Sequence, residues 1–490
     1  MIVGQWYLNL KLNNMNVNSK TKKLGQVFTP EYIVKIMLDL CKYNGVTILG
    51  KHIVDNSCGD GAFLREVVKR YIEVAKVKEK SLSEIKRDLE KYIHGIEVDK
   101  VAFDKCYKNL SNIATDYGIS DVKWNIFNTN ALLFSDFDEQ MDYVVGNPPY
   151  VRVHNLDVDY DIVKSYNFAK CGMTNMYLAF FELGFKMLND KGQLCYITPN
   201  SWLNSIAGKN MREYILQNKT LSTLIDFEHN QVFENATTYT IVSHFNKANK
   251  SDMFDYYVWN EQIKDKEFIE TLSLNNMSIN DKFYINRSCE LNTLFKIKTT
   301  KSKQYVSVKN GFATLADSVF IGEQVPESKF TISVVKATTG KIHKCLYPYD
   351  DNGVPIAKEE LFLDTNVKEY LNANKELLLK SKKDSDYWYL FGRTQALKDV
   401  FRKKLAINNL IRSKEDLKLT DATVGEGVYG GMYITTNGVI EGKVIEELIV
   451  TDDFVEYVKI LKKYRSGDYY MFDTKDLEEY LNYKLSKNIC

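Results

Sequence analysis

KHIVDNSCGDGAFLREVVKRYIEVAK, residues 51–76, followed by KYIHGIEVD, residues 91–99, is the stretch that decides the fold. KHIVDNSC reads as a buried strand, a short apolar run closed by turn residues. GAFLREVVKRYIEVAK carries apolar residues at helical spacing, and KYIHGIEV reads as a second strand. The alternation continues on both sides. EYIVKIMLDLCKY (31–43) places Ile33, Ile36, Met37 and Leu40 on one helical face. VAFDKCYKNLSNIATDYG (101–118) is a helix, VKWNIFN (122–128) a third strand, and MDYVVGN (141–147) a fourth that runs into NPPY. Then come the helix NMYLAFFELGFKMLN (175–189), the strand QLCYITPN (193–200), a helix after Ser201, and the strands LSTLIDFE (221–228) and TIVSHFNK (240–247). Strands alternating with helices imply an α/β fold, a mixed and mostly parallel sheet covered on both faces. Ligands bind such sheets beyond the carboxyl ends of the strands.

The chain has 490 residues, too many for one typical domain. Near residue 250 the alternation gives way to short irregular strands, loops and charges. We therefore divide the chain into a polar extension (1–24), a first domain (25–248) and a second, α+β domain (255–490). An apolar fraction of 44% with 26% charged residues is that of a soluble globular protein. The formal net charge of +1 conceals a basic excess between Lys296 and Thr420, which suits phosphate groups or a merely solvated surface. Eight scattered cysteines show neither metal-ligand nor disulfide-framework spacing, so a reducing cytoplasm is expected. No apolar run could span a bilayer and no signal peptide is evident, so no membrane association is expected.

Three strand ends carry chemistry. In Asp55-Asn56-Ser57-Cys58-Gly59-Asp60-Gly61, small residues let a ligand approach the backbone, and the next helix points its N-terminus there. Lysine is absent, which excludes a Walker loop, and Leu64 breaks the pyrophosphate-binding pattern. A turn with acids at both ends suits a zwitterionic amino acid and a sulfonium; it also reads as a plain tight turn. The second strand ends in Glu97-Val98-Asp99, where an acid can hold a ribose diol. The competing reading is an acid at a helix N-terminus stabilised by the macrodipole, which Asp99 fits well and Glu97 less well. The third is Asn147-Pro148-Pro149-Tyr150, whose prolines fix the backbone and hold Asn147 out of the helical region. An exocyclic amine on a heteroaromatic ring is a poor nucleophile because its lone pair is delocalised. If the Asn147 side-chain oxygen and the Pro148 carbonyl accept its two hydrogens, the pyramidal, nucleophilic nitrogen is favoured. Tyr150 can stack on the ring, worth roughly 1–3 kcal/mol.

In their order along the chain, Gly25-Gln26-Val27-Phe28-Thr29-Pro30, the Cys58-Gly59-Asp60-Gly61 turn, Glu97 and NPPY resemble the γ-class N6-adenine DNA methyltransferases of restriction–modification systems. The resemblance implies a Rossmann-like S-adenosylmethionine-dependent methyltransferase domain followed by a DNA target recognition domain. It implies cofactor contacts from Thr29, Pro30, Asp55, Gly59, Glu97 and Phe180. Asn130 stands where the family usually has an aspartate that accepts from the cofactor adenine. Phe233, in NQVFENATT (230–238), would face Tyr150 across an extruded base. Arg152 would meet a phosphate, and the loop from Val151 to Met173 would lie over DNA. Helix-core packing is the competing reading for Phe180 and Phe233. Since a paired adenine cannot reach the NPPY loop, base flipping is implied. Transfer would be direct, without a metal and without a cysteine nucleophile.

In the second domain, NGFATLADSVF (310–320), YWYLFGR (387–393) and YRSGDYYMFDTKDLEEYL (464–481) resemble the family's recognition domain. Arg393, Lys398, Arg402, Lys403 and Lys404 form a basic cluster fit for a DNA backbone, or a solvated helix face. Family members fused to a nuclease carry a long N-terminal endonuclease domain. With about 24 residues ahead of GQVFTP, the expectation is modification without cutting, beside a separate cognate restriction endonuclease or as an orphan enzyme. A cytoplasmic, nucleoid-associated bacterial monomer acting on double-stranded DNA is expected. The rivals are methylation of RNA or of a protein glutamine through the same loop, and a degenerate DNA-binding protein.

Overall fold

The computed structural model describes residues 29–153, 160–233, 238–380, 386–436 and 440–488. The expected extension 1–24 and most of GQVFTP lie outside the described residues. The chain falls into two compact units that divide between Asn292 and Thr293.

The first unit is built on a sheet of nine strands. β1 (Ile53–Asp55), β2 (Ile93–Ile96), β3 (Asn125–Phe127), β4 (Met141–Gly146), β5 (Leu188–Pro199), β6 (Leu221–Asp226), β7 (Thr240–Asn246), β8 (Met253–Asn260) and β9 (Asp265–Ser273) lie in the order β3-β2-β1-β4-β5-β7-β6-β8-β9. Pairing is parallel from β3 through β5 and between β6 and β8. It is antiparallel where β7 enters between β5 and β6, and between β8 and β9. This is the mixed, mostly parallel, Rossmann-like sheet expected. β1 and β2 are buried at every residue, as strands covered on both faces must be. The order reverses between β1 and β4, which opens a crevice at their carboxyl ends.

The connecting helices are α1 (Glu31–Leu40), α2 (Ala62–Val77), α3 (Leu82–Tyr92), α4 (Lys100–Asp116), α5 (Met176–Met187) and α6 (Lys209–Asn218). Helix α3 was not anticipated, although Ser81 and Glu84 form the reciprocal capping box that marks its start. The domain edge expected at 248–255 also needs correction. β8 pairs with β6 and β9 with β8, so this sheet continues to Ser273. β9 is an edge strand studded with Lys266, Glu267 and Glu270, charges that discourage further pairing and disguise the strand in the sequence.

The second unit is α+β. A four-stranded sheet holds Val306–Asn310, Met432–Thr436, Lys404–Ile407 and Leu419–Ala422 in that order. The unit also holds two three-stranded sheets and several helices, among them Thr365–Ala373, Asp452–Ile460 and Thr474–Asn488. No helix of the described residues is long and apolar enough to cross a membrane.

Candidate active site

The turn after β1 is a close-fitting junction. Gly59 and Gly61 both have left-handed backbone (φ 54° and 90°), and Gly61 caps α2. A Cβ on Gly61 would meet Cys106 Sγ at 2.8 Å, so glycine is required twice over. The Cys58 amide donates to the Ile96 carbonyl at 3.0 Å, tying the turn to the end of β2. Asp55 is buried and accepts the Ser57 amide at 3.1 Å. Glu97 is also buried, with one oxygen accepting the Gly59 amide and the other the Asp99 amide, both at 2.8 Å. Desolvation, opposed by the Ser57 bond and reinforced by the nearby Glu97 charge, pushes the Asp55 carboxyl up to about 8. Desolvation raises Glu97 as well.

Two buried acids with raised carboxyls at a switch point favour a ligand that brings positive charge and hydrogen-bond donors. That donor set fits S-adenosylmethionine, with its sulfonium and ammonium, better than it fits an anion. The acids of the turn are not equivalent, as the sequence had suggested. Asp60 is committed to Lys105, with Oδ2 to Nζ at 2.8 Å. Asp99 is the N-cap of α4, accepting from the Val101 and Ala102 amides, so the distinction drawn between it and Glu97 holds.

NPPY follows β4, immediately beside this turn. A Cβ on Gly146 would lie 2.7 Å from Asp55 Oδ1, so the β4 backbone runs against the acid. Ser57 Oγ donates to the Asn147 carbonyl at 3.4 Å, and Asn147 Nδ2 donates to Thr29 Oγ1 at 3.1 Å. Thr29 and Pro30 thus reach the site through the start of α1, where Pro30 is the N-cap. Pro148 is buried, and the Tyr150 hydroxyl donates to the Ile197 carbonyl at 3.1 Å. Burial raises that phenol far above its ordinary range. Ser57 and Gly146 were missed by sequence reading; their roles depend on strands brought together only by the fold.

Tyr150 and Phe233, expected to face each other across a base, are neighbours. The Tyr150 and Phe233 rings meet edge-on, with centroids 6.1 Å apart and planes at 66°. A base between parallel rings needs two contact distances, about 7 Å. Residues 234–237 of the same segment lie outside the described residues. Asn130 lies past β3, where its side-chain oxygen accepts the Leu132 amide at 3.0 Å and caps a short 3-10 turn. Phe180 is buried within α5, as helix-core packing requires. Arg152 is exposed, its backbone bridged to Asn175 at the foot of the Val151–Met173 loop; residues 154–159 of that loop lie outside the described residues.

In the second unit the structure joins two of the three quoted segments. Phe391 packs on Phe312 (5.3 Å) and Phe320 (5.0 Å), and the Gly392 amide donates to the Thr314 carbonyl at 2.8 Å. Arg393 is exposed beside this junction. Lys398, Arg402 and Lys403 are exposed too, on a 3-10 turn and the lead into a strand rather than on a helix face. Lys404 departs from expectation: it is buried, donates to the carbonyls of Asp399, Val400 and Arg402, and desolvation lowers it to about 8. Arg402 already faces Asp399, at 3.6 Å. The third segment is a structural clamp. Its buried Asp476 pairs with Lys298 at 3.0 Å and with Lys463, and Asn482, the next residue after the segment, accepts from the Tyr305 and Val306 amides.

Among the described residues no group of His, Cys, Asp or Glu is placed to hold a metal ion.

Residues 69–233, which include Glu97, NPPY and Phe233, match the family described as Eco57I restriction-modification methylase. The chain is 26% identical over 499 aligned residues to the Type II restriction enzyme and methyltransferase RM.Eco57I of Escherichia coli, covering 79% of this chain and 49% of that one. It is 27% identical to the Type II methyltransferase M.BstVI of Geobacillus stearothermophilus, over 44% of this chain and 40% of that one. The chain therefore spans half or less of the length of these curated relatives. The solved structure of the Type IIL restriction-modification enzyme MmeI in complex with DNA superimposes over 94% of this chain and 66% of that one. Its TM-score is 0.63 at 14% identity, a likeness of fold.

Proposed function

We propose, from the premise that residues 69–233 form a restriction–modification methylase domain, that this protein is a site-specific DNA methyltransferase acting on adenine N6. One observation carries the reading: the Asp55–Gly61 turn, Glu97 and Asn147-Pro148-Pro149-Tyr150 converge on one switch point, tied together by the Ser57–Asn147 hydrogen bond. S-adenosylmethionine, bound there, supplies an electrophilic methyl group on a sulfonium.

Asp55 and Glu97 hold the cationic and ribose portions, the Gly59 backbone allows close approach, and Thr29, Pro30, Asn130 and Phe180 complete the cofactor's surroundings. The target adenine leaves the duplex and stacks on Tyr150. Phe233 gives up its edge-on contact with Tyr150 to admit it. The Asn147 side-chain oxygen and the Pro148 carbonyl accept the two amino hydrogens, which turns the nitrogen lone pair toward the methyl group. These bonds strengthen as the nitrogen becomes positive in the transition state, so they lower the barrier rather than merely bind. The amide of Asn147 is oriented by its bond to Thr29. Arg152, Arg393, Lys398, Arg402 and Lys403 contact phosphates, and the second unit reads the target sequence. The protein works as the modification component of a restriction–modification system or as an orphan methylase, with one chain sufficient.

The test is single-molecule sequencing of DNA from a methylation-deficient bacterial host expressing the chain. N6-methyladenine at one recurring motif is the expected result. Unmodified DNA, from folded protein that binds S-adenosylmethionine, would transfer the reading to RNA or a protein glutamine.

A further inference from the structure

The candidate active site is bordered by two exposed apolar side chains on separate segments. Met173, just ahead of α5, is 84% exposed, and Ile206, between β5 and α6, is 76% exposed. Isolated exposed apolar residues are ordinary, but these stand on segments clamped together. Gly172 lies so close to Ile206 that a Cβ there would sit 3.3 Å from Ile206 Cγ2. Cys171 Sγ donates to Asn210 Oδ1 at 3.3 Å, and Asn210 Nδ2 donates to the Asn167 carbonyl at 2.7 Å. From below, the buried Arg212 donates to the carbonyls of Trp202 and Ser205 through Nη1, at 2.7 and 2.8 Å, and to that of Asp281 through Nε at 2.7 Å. The Ile206 turn is held from inside by a charge that serves no catalytic role.

Both segments lead to the NPPY loop. Asn175, close after Met173, is bridged to Arg152, and the Met176 amide donates to the Val151 carbonyl at 2.9 Å. Ser201, at the start of the Ile206 segment, shares a 2.9 Å hydrogen bond with Tyr177, whose ring lies 6.5 Å from that of Tyr150. The rim is basic. Arg152 and Lys170 are exposed, Lys209 lies 3.8 Å from Glu213, and Lys164 Nζ donates to the carbonyls of Lys170 and Gly172. An apolar tip within a cationic rim is complementary to a nucleic-acid duplex, whose charge is outside and whose stacked bases are inside.

We propose that Met173 and Ile206 form a wedge that enters the base stack beside the target adenine and fills the space it vacates. The proposal rests on the DNA-methylating reading of the NPPY site. Filling the gap removes two apolar side chains from water and stabilises the extruded state. The wedge therefore speeds reaction with a paired adenine and matters little for one that is already unpaired.

The test is single-turnover methylation by the full chain and by its Met173→Ala/Ile206→Ala variant, with thermal unfolding to verify that the variant is folded. Two duplexes are compared, one with the target adenine paired to thymine and one with an abasic site opposite it. The variant is expected to lose about tenfold or more in rate on the paired duplex and to stay within about twofold of wild type on the abasic one. Equal losses on both duplexes would overturn the wedge in favour of a general binding role. No loss on either would overturn it in favour of a surface for another partner, such as a protein. Both results leave the methyltransferase reading intact; wild type inactive on both duplexes would defeat that reading and the wedge with it.

Discussion

Asp55→Asn is expected to remove most of a pH dependence of stability that the wild-type first unit carries. The Asp55 carboxyl stands at about 8, against an ordinary aspartate near 4, chiefly because burial penalises its ionised form. Between those values the folded chain holds a proton that the unfolded chain has released. Stability therefore falls as pH rises, by up to about 1.4 kcal/mol per unit, and the loss is complete near pH 8. At pH 7 some three units of the interval have been crossed, which amounts to on the order of 4 kcal/mol. Asparagine preserves the shape, and its amide oxygen can still accept the Ser57 amide. Glu97 shifts in the same direction, so some slope survives in the variant, and the difference between the two proteins isolates Asp55. The assay is urea denaturation followed by tryptophan fluorescence between pH 5 and pH 9. Asparagine should gain on wild type as pH rises from 5 toward 8, the difference being smallest at pH 5. Cofactor binding at pH 7 should release a proton from wild type and not from the variant, read from calorimetric heats in buffers of different ionisation enthalpy. Parallel pH profiles for the two proteins would refute the reasoning.

Other consequences are testable in single experiments. Asn147→Ala should reduce methylation by about 10²–10³-fold while leaving cofactor and DNA affinity nearly unchanged, measured by methyl transfer and calorimetry. Gly146→Ala places a Cβ 2.7 Å from Asp55 Oδ1 and should weaken S-adenosylmethionine binding tenfold or more, with about 1–3 kcal/mol of lost stability. Lys404→Ala should remove the ammonium that donates to the carbonyls of Asp399, Val400 and Arg402, and lower the unfolding temperature. Arg393→Ala/Lys403→Ala should leave that temperature alone and flatten the salt dependence of DNA binding. Ser81→Ala should cost about 1 kcal/mol through loss of the α3 cap, seen by thermal unfolding.

What could be read from the sequence was whatever the chain states locally. The inner strands, β1, β2 and β4, are almost wholly buried and so appear as short, mostly apolar runs whose ends could be found. NPPY is rigid by its own covalent structure, and Glu97 could be separated from Asp99 because a cap has a fixed offset from its helix. Helix α3 was legible but overlooked, since its signal is the Ser81–Glu84 box rather than a strong apolar stripe.

The remainder depended on partners distant in the chain. Asp60 differs from Asp55 because Lys105 reaches it from α4, and Lys404 is buried because the backbone at 399–402 wraps its ammonium. β8 and β9 belong to the first sheet because β6 offers β8 an edge and β8 offers one to β9, whereas nothing in their own residues says which sheet they join. The edge-on contact of Tyr150 with Phe233, and the bond from Arg212 to the Asp281 carbonyl beneath the Ile206 turn, join segments far apart in sequence. The sequence by itself determined the order of strands and helices and the chemistry available at each strand end, because periodicity and proline geometry act within a few residues. Only the tertiary structure decided which acid is desolvated, which cation is spent inside and which aromatic faces meet, because burial and charge pairing are set by whatever the fold places alongside.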